Sequence, residues 1–313
     1  MRAIVFPGQG SQVVGMGRAL HESFAVAREV FQEVDDTLGQ NLSTLMFEGS
    51  QEELTLTSNA QPALMAVSMA VMRVLEKEGK VPVTAFQMAA GHSLGEYSAL
   101  AATRSLSLRD ATRLLRLRGE AMQRAVPSGQ GAMVAVLGAD MVILEKILQE
   151  VAPEGLCVIA NDNSPGQVVL SGEKPAVEKV PEVAQRYGIR KCVILPVSAP
   201  FHCSLMAPAA KAMEEALKNV AFQDPLISII PNVTAKIEKR GEIFKDLLVQ
   251  QVTGQVRWRE TMLTMVEAGI THAYELGVGK VLSGLFKRGS ESVTTSSLHT
   301  PQEIEEFLTT FNH

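Results

Sequence analysis

The sequence predicts an α/β protein in which a parallel sheet covered by helices is interrupted by a second, smaller sheet. Three observations lead to this prediction. Short apolar runs alternate with amphipathic stretches through the first 126 residues, as strands alternate with helices in a parallel sheet. The pattern changes after Pro127 to a β-α-β-β-α-β order, and the first pattern returns near Ala199. A chain of 313 residues has room for two domains.

The elements of the first segment follow from apolar periodicity and from its turn residues. Pro62 falls in the first turn of a long predicted helix, where its missing N–H does no harm. Residues 8–12 are rich in glycine and predict a tight turn. We predict strands over 3–6 and 83–90, and helices over 16–22, 26–38, 59–78, 94–102 and 109–124.

The segment after Pro127 has the order of the split βαβ unit that is typical of ferredoxin-like domains. We therefore expect a small ferredoxin-like subdomain at 127–198, inserted into a large subdomain that comprises 1–126 and 199–313. Its predicted strands are 131–138, 156–161, 167–171 and 192–197, with helices over 141–151 and 174–187.

The last segment returns to the alternation of the first. A final helix should begin after Thr300-Pro301, and the polar stretch 290–297 should be an exposed link. We predict strands over 227–230 and 273–276, and helices over 205–220, 244–251 and 258–268.

Residues 91–97 read Gly-His-Ser-Leu-Gly-Glu-Tyr, a Gly-x-Ser-x-Gly element between a predicted strand and a predicted helix. A sharp strand–turn–helix corner of this kind holds a serine hydroxyl as a nucleophile. The glycines let neighbouring backbone approach closely, and the N–H groups at the helix start face any oxyanion formed at the serine. The pattern is common by chance, so its strand–helix context carries the prediction that Ser93 is a nucleophile.

A nucleophilic serine needs a base, and histidine is the usual one. Of the six histidines, His202 is the best candidate because it lies in a loop between a strand end and a helix. A packed loop histidine without a catalytic role is the alternative, and spacing alone leaves both open. His92 adjoins the serine, but neighbouring side chains diverge there, so we expect it to make a structural hydrogen bond.

The group that orients this base is a second open question. Asp162 lies between Ser93 and His202 in a predicted loop, where the acid of a hydrolase triad would fall in chain order. Asx-rich loops routinely cap turns, and we expect Asp162 to do so. A Ser–His dyad oriented by a backbone carbonyl is therefore favoured.

Arginines on the predicted helix 109–124 could bind an anionic substrate. A guanidinium that faces a pocket binds a carboxylate through two parallel hydrogen bonds, whereas one that faces solvent forms surface ion pairs. Position does not choose among the four candidates, Arg113, Arg116, Arg118 and Arg124.

The turn Gly8-Gln9-Gly10 does not match a phosphate-binding loop. The third glycine of a dinucleotide fingerprint would fall on Val13, and no Lys-Ser/Thr pair follows. Such a turn can instead bring the N–H of Gln9 to an oxyanion, next to the N–H of Leu94.

Composition excludes several classes of function. A net charge of −5 and a pI near 5.8 argue against nucleic-acid binding. No apolar run approaches the roughly 20 residues of a membrane span, and the N-terminus does not have the pattern of a signal peptide. The three cysteines form no C-x-x-C pair, so we expect free thiols in a reducing cytoplasm and no metal site.

Six segments of the chain carry motifs that are specific in combination. They are Phe6-Pro7-Gly8-Gln9-Gly10-Ser11-Gln12, Gly91-His92-Ser93-Leu94-Gly95-Glu96-Tyr97, Arg116-Leu117-Arg118-Gly119, Ala160-Asn161-Asp162-Asn163-Ser164-Pro165-Gly166-Gln167, Ala199-Pro200-Phe201-His202 and Glu275-Leu276-Gly277-Val278-Gly279-Lys280-Val281-Leu282. Together they resemble the malonyl-CoA:acyl carrier protein transacylases of type II fatty acid synthesis. The similarity covers essentially the whole chain, and the motifs follow one another in the expected order.

The resemblance implies an α/β-hydrolase-like core with a ferredoxin-like subdomain, in agreement with the residue patterns. It also implies a role for each site residue. Ser93 would be the acylated nucleophile, His202 its base, Gln251 the residue whose main-chain carbonyl orients His202, Gln9 and Leu94 the oxyanion donors, Arg118 the carboxylate-binding residue, and Phe201 a limit on room for a methyl branch. Two residues depart from the family pattern: Val278 replaces a usual proline, and Cys203 a frequent serine.

The implied activity is transfer of a malonyl group from malonyl-CoA to acyl carrier protein, without a cofactor. We expect a cytoplasmic monomer that binds neither nucleic acid nor membrane. An acidic carrier protein should dock on basic residues near the pocket mouth, such as Arg190, Lys191 and Lys287. One alternative is a serine acylhydrolase or esterase that uses the same serine corner. A second is a subunit that binds the carrier protein and has no catalytic activity.

Overall fold

The computed structural model describes residues 1–197, 199–290 and 292–311. The first part of the chain supplies two strands of the larger sheet and most of the helices packed on it. In order, its elements are β1 (Arg2–Phe6), α1 (Arg18–Ser23), α2 (Ala25–Leu38), α3 (Leu42–Glu48), α4 (Gln51–Thr55), α5 (Thr57–Lys77), β2 (Met88–Gly91), α6 (Gly95–Ala102) and α7 (Leu108–Ala125).

The middle of the chain forms the smaller sheet and two helices. Its elements are β3 (Gly131–Leu137), α8 (Met141–Val151), β4 (Cys157–Ser164), β5 (Gln167–Glu173), α9 (Lys174–Arg186) and β6 (Lys191–Ile194). The last part completes the larger sheet with α10 (Ala207–Leu217), β7 (Ser228–Ile229), α11 (Ile243–Thr253), α12 (Trp258–Glu267), β8 (His272–Leu276), α13 (Val281–Gly289), β9 (Thr294–Leu298) and α14 (Pro301–Phe311).

The larger sheet has the order β7-β2-β1-β8-β9, and every neighbouring pair is parallel. Its central strand β1 is buried from Ala3 to Phe6, because helices cover both faces of a parallel sheet. The α5 helix is also buried on nearly all sides, with a core of alanine, valine and methionine. The predicted α/β class with a parallel core is confirmed.

The smaller sheet has the order β4-β5-β3-β6 and is antiparallel throughout. In a β-α-β-β-α-β unit this order places the first and third strands side by side in the centre, as the ferredoxin-like prediction requires. Its own core includes Val134, Leu144 and Val180. Two backbone hydrogen bonds connect β4 to Val256 in the last part of the chain. The Asp162 N–H donates to the Val256 carbonyl at 3.0 Å, and the Val256 N–H donates to the Ala160 carbonyl at 2.8 Å. The subdomain boundaries at 127–198 stay a prediction.

Several element predictions were wrong. The predicted strand 83–90 is a short 3-10 helix at Val83–Ala85 followed by β2, which begins only at Met88. The predicted link 290–297 contains most of β9, whose Thr and Ser side chains suit the edge position next to β8. Pro62 lies inside α5, past its first turn, because the helix begins at Thr57. The helices α3, α4 and α13 were missed, since the longest of them has only nine residues, which is too short for a clear apolar period.

No helix in the described part of the chain combines the length and the apolar composition that a membrane crossing needs.

Candidate active site

Ser93 lies at a strained corner between β2 and α6. Its φ of 52° is in the left-handed region, which costs energy for any residue with a Cβ atom. Both flanking glycines are required by close backbone approach. A Cβ added at Gly91 would lie 1.8 Å from the Gly95 carbonyl oxygen, and one added at Gly95 would lie 2.3 Å from the Phe6 carbonyl oxygen. The corner therefore has the geometry of a nucleophile elbow.

The structure brings His202 to this serine across 109 positions of sequence, with Ser93 Oγ and His202 Nε2 2.8 Å apart. On the other side of the ring, Nδ1 lies 2.9 Å from the carbonyl oxygen of Gln251 and 3.2 Å from that of Gly254. A carbonyl oxygen only accepts hydrogen bonds, so Nδ1 carries the proton. Nε2 is then the acceptor, and the Ser93 hydroxyl donates to it.

Electrostatics keep this imidazole neutral. Burial, followed by the positive charge of Arg118, lowers the pKa of His202 from 6.5 to about 3. His202 is only 4 % exposed. A neutral imidazole with a free Nε2 lone pair is the form in which histidine accepts a proton from a serine.

Arg118 is the arginine of α7 that reaches the serine. It is 1 % exposed, and its Nη2 donates to Ser93 Oγ at 3.2 Å and to Gln251 Oε1 at 2.9 Å. Its Nη1 donates to Gln61 Oε1 at 2.7 Å. Among the residues that the structure describes, no carboxylate pairs directly with this guanidinium, and its Nε has no hydrogen-bond partner. A buried guanidinium that is not paired with a carboxylate has donors with which it can bind an anion.

A cavity of about 490 Å³ opens onto the Ser93 hydroxyl. Its walls include Gln9, Leu94, Arg118, Phe201 and His202. Within the described ranges, the main-chain N–H groups of Gln9 and Leu94 have no hydrogen-bond acceptor. Both are therefore available to a ligand oxygen, and Leu94 is the N-terminal cap of α6, where the helix dipole favours negative charge.

Two other residues considered from the sequence, His92 and Asp162, form their hydrogen bonds and ion pairs with other partners, although His92 also lines the cavity. His92 Nε2 donates to Asn163 Oδ1 at 2.8 Å, and the ring packs against Trp258, so the expectation of a structural hydrogen bond is confirmed. Asp162 does not cap a turn: it lies within β4 and forms an ion pair with Arg259, at 2.7 Å from its Nη2. That pairing occupies the carboxylate that a hydrolase triad would require.

Sequence reasoning missed several polar groups that hydrogen-bond to the site residues. Gln61 joins Arg118 to Thr57, and Thr57 Oγ1 donates to Gln9 Oε1 at 2.8 Å. Asn232 accepts a hydrogen bond from the Ser93 N–H, and its own N–H donates to Glu96. Glu96 is part of the Gly-x-Ser-x-Gly segment and could have been noticed, whereas nothing in the sequence around Asn232 marks it.

The two residues that depart from the family pattern, Cys203 and Val278, are both buried. Cys203 donates its thiol to the Pro200 carbonyl at 3.1 Å. Val278 packs in the main core between two glycines with positive φ. The three basic residues suggested for docking, Arg190, Lys191 and Lys287, are all exposed.

The comparison with known proteins decides the family. The profile described as "Acyl transferase domain" matches residues 3–298. A curated "Malonyl CoA-acyl carrier protein transacylase" of Bacillus subtilis is 44 % identical over 97 % of this chain and 95 % of its own length. The chain belongs to the family of malonyl CoA-acyl carrier protein transacylases. The family resemblance inferred from the motifs is thereby confirmed.

Other members of the family agree with this assignment. The Escherichia coli transacylase of the same name is 42 % identical, with 98 % of each chain covered. The crystal structure of an acyl-carrier-protein S-malonyltransferase from Bartonella henselae has a TM-score of 0.96 and 52 % identity, covering 100 % of this chain and 99 % of that one. A malonyl-transacylase solved in complex with a type II PKS acyl-carrier protein has a TM-score of 0.95 and 40 % identity, covering 98 % and 99 %.

Proposed function

We propose that this chain transfers a malonyl group from malonyl-CoA to acyl carrier protein by two successive acyl transfers through Ser93. Relatives that are 40–44 % identical over nearly the whole chain carry the name of this activity. The contact that supports the mechanism best is the one between Arg118 and Ser93. In a malonyl-serine ester the free carboxylate is only three bonds from Oγ, so a guanidinium that reaches Oγ also reaches that carboxylate.

The first transfer acylates the serine. His202 Nε2 accepts the hydroxyl proton while Ser93 Oγ attacks the thioester carbon of malonyl-CoA. The resulting tetrahedral oxyanion is held by the N–H groups of Gln9 and Leu94, an interaction worth about 3–4 kcal/mol per donor in comparable sites. The carbon–sulfur bond then breaks, and coenzyme A leaves as a thiol with the proton from His202.

The second transfer runs the same chemistry in reverse. His202 accepts the proton of the phosphopantetheine thiol of the carrier protein, and the sulfur attacks the ester carbon. The carbon–oxygen bond to Ser93 breaks, and Oγ recovers a proton from His202. The thioester and the thiol are both supplied by the substrates, so the proposed reaction needs no cofactor. Supply of malonyl units to fatty acid synthesis is the proposed role.

The selectivity of the site would come from two side chains. Arg118 is buried, and a substrate without a carboxylate leaves its charge unpaired, which disfavours acetyl-CoA. Phe201 is a bulky wall of the same cavity and leaves little room for a methyl branch. The energy of one methyl group is only about 1–3 kcal/mol, so discrimination against branched substrates should be modest.

The alternative of a serine esterase has less support. It would need a carboxylate to orient His202, whereas Nδ1 faces the carbonyl oxygens of Gln251 and Gly254. Asp162, the acid considered for that role, is paired with Arg259. We further propose a cytoplasmic monomer that docks the carrier protein on exposed basic residues near the cavity, with Lys191, at the start of β6, as one of them.

Intact-mass spectrometry tests the proposal. The purified chain mixed with malonyl-CoA should gain one malonyl group, and addition of holo acyl carrier protein should remove it much faster than water does. The Ser93→Ala variant should gain none. The Ser98→Ala variant is the matched control, because this hydroxyl is buried in α6, the helix that follows Ser93, without a hydrogen-bond partner among the described residues. A wild-type chain without an adduct would indicate a silent carrier-binding subunit, and an adduct lost equally fast to water would indicate an esterase.

A further inference from the structure

Glu96 is a buried carboxylate three residues after the nucleophile that the proposed mechanism does not use. It is 0 % exposed and lies in the first turn of α6. Carboxylates are almost never fully buried unless their charge is paired or hydrogen-bonded. Its surroundings should therefore contain specific donors.

Two donors from distant parts of the chain converge on one oxygen of Glu96. Its Oε2 accepts from the main-chain N–H of Asn232 at 2.9 Å and from the side-chain Nε2 of Gln251 at 2.8 Å. The other oxygen, Oε1, has no hydrogen-bond partner in the described residues. Glu96 thus links α6 to the loop after β7 and to α11.

Gln251 uses its remaining groups on the reacting residues. Its main-chain carbonyl accepts from His202 Nδ1 at 2.9 Å, and its Oε1 accepts from Arg118 Nη2 at 2.9 Å. Its Nε2 also donates to the Ser93 carbonyl at 3.0 Å. Any displacement of Gln251 would therefore move the base and the guanidinium together.

Asn232 holds the backbone of the corner itself. Its Oδ1 accepts from the Ser93 N–H at 2.7 Å, and its Nδ2 donates to the Gly91 carbonyl at 2.6 Å. These two bonds span the turn that keeps Ser93 at positive φ. Glu96 accepts the N–H of Asn232, so it fixes the position of Asn232 relative to α6.

We propose that Glu96 is a positioning residue, whose Oε2 holds Gln251 and Asn232 so that His202 and Arg118 both face Ser93 Oγ. The inference rests on the proposed function, because it assigns Glu96 to the acylation of Ser93. The essential property of Glu96 is the position of its acceptor oxygen Oε2, which the length of the side chain sets, and not its negative charge.

The electrostatics of the site agree with that distinction. Burial raises the pKa of the Glu96 carboxyl to about 7, against the hydrogen bonds from Asn232 and Gln251 and the charge of Arg118. Near neutral pH a substantial fraction of Glu96 is therefore uncharged, and a protonated carboxyl still has a carbonyl oxygen that accepts both bonds.

Two conservative variants separate reach from charge. Glu96→Gln keeps an acceptor at the position of Oε2 and removes the charge, whereas Glu96→Asp keeps the charge and withdraws the oxygen by one methylene. Single-turnover acylation with saturating malonyl-CoA gives a rate constant and an amplitude. We expect Glu96→Gln to stay within about fivefold of the wild-type rate constant and Glu96→Asp to fall about 100-fold, as misplaced catalytic groups do.

The same measurements exclude a purely structural effect. Partial misfolding lowers the amplitude and leaves the rate constant and the preference for malonyl-CoA over acetyl-CoA unchanged. Displacement of Arg118 should reduce that preference in Glu96→Asp. Glu275→Asp is the matched control, because this buried carboxylate accepts from the N–H groups of Leu282 and Ser283 and should change only the amplitude.

Each outcome decides the inference. A Glu96→Gln rate constant equal to or below that of Glu96→Asp would overturn it, as would wild-type rate constants in both variants. If the wild-type chain itself were not acylated, the proposed function would fail instead, so the two failures are distinguishable.

Discussion

Replacement of Arg118 by glutamine should convert a malonyl-selective site into an unselective one. The variant removes the only charge of this side chain and keeps amide groups that can still bond to Gln61 and Gln251. Hydrogen bonds to charged groups are each worth about 1.5–3 kcal/mol, and a buried carboxylate held by two of them would lose about 3–6 kcal/mol. At 1.4 kcal/mol per factor of ten, kcat/KM for malonyl-CoA should fall by roughly 10²–10⁴.

Acetyl-CoA has no carboxylate and should lose far less. Part of the effect of Arg118 comes from its 3.2 Å contact with Ser93 Oγ, which helps both substrates alike. This part cancels in the ratio of the two kcat/KM values. We therefore expect the malonyl-to-acetyl preference to fall by about 10²-fold.

The assay measures transfer to holo acyl carrier protein from each acyl-CoA under the same conditions. Arg116→Gln is the matched control, because this arginine is on the same helix, is partly exposed and donates to Asn59 and Gln40 outside the cavity. It should leave the preference unchanged. An Arg118→Gln enzyme that retained the wild-type preference would refute a carboxylate-binding role for Arg118.

Two further predictions concern stability. His202 is neutral in the folded chain down to about pH 3, whereas in the unfolded chain it binds a proton near pH 6.5. Its contribution to stability is therefore present above pH 6.5 and is lost as pH falls toward 3. The difference in unfolding free energy between wild type and His202→Asn should decline by up to about 1.4 kcal/mol per pH unit as pH falls. Urea unfolding between about pH 7 and 4 measures this difference. A pH-independent difference would show that His202 titrates normally. Gly91→Ala should cost about 3 kcal/mol or more, since its Cβ would overlap the Gly95 carbonyl, whereas Gly284→Ala, in an open position of α13, should gain about 0.5–1 kcal/mol. Thermal unfolding of both variants measures this contrast, and equal effects would contradict the close approach at Gly91.

Predictions from the sequence succeeded where local pattern and packing agree. The strand at residues 3–6 and the helix at 109–124 were placed nearly correctly, because an apolar run or an amphipathic period reports the face that is buried. The strand predicted at 83–90 was wrong in its first half, because apolar residues such as Val83 and Ala85 occur equally in a short 3-10 helix. The polar edge strand β9 was missed, since its outer face has no apolar alternation.

The prediction for Asp162 was also wrong, because it was made from local sequence alone. Its loop composition suggested a turn, but a partner 97 positions away, Arg259, pairs with it inside β4. Long-range pairing of this kind leaves no trace in the local sequence.

By itself, the sequence determined the α/β class, the smaller β-α-β-β-α-β unit and the serine corner, because each depends on residues close together in the chain. The family resemblance implied Arg118 and the Gln251 carbonyl, but only the tertiary structure shows that Arg118 reaches the serine and that a carbonyl rather than an acid faces His202. The physical reason is that convergence at Ser93 joins groups separated by 25 to 158 positions. Their distances are set by how the helices pack on the two sheets, and not by any period or motif within one element.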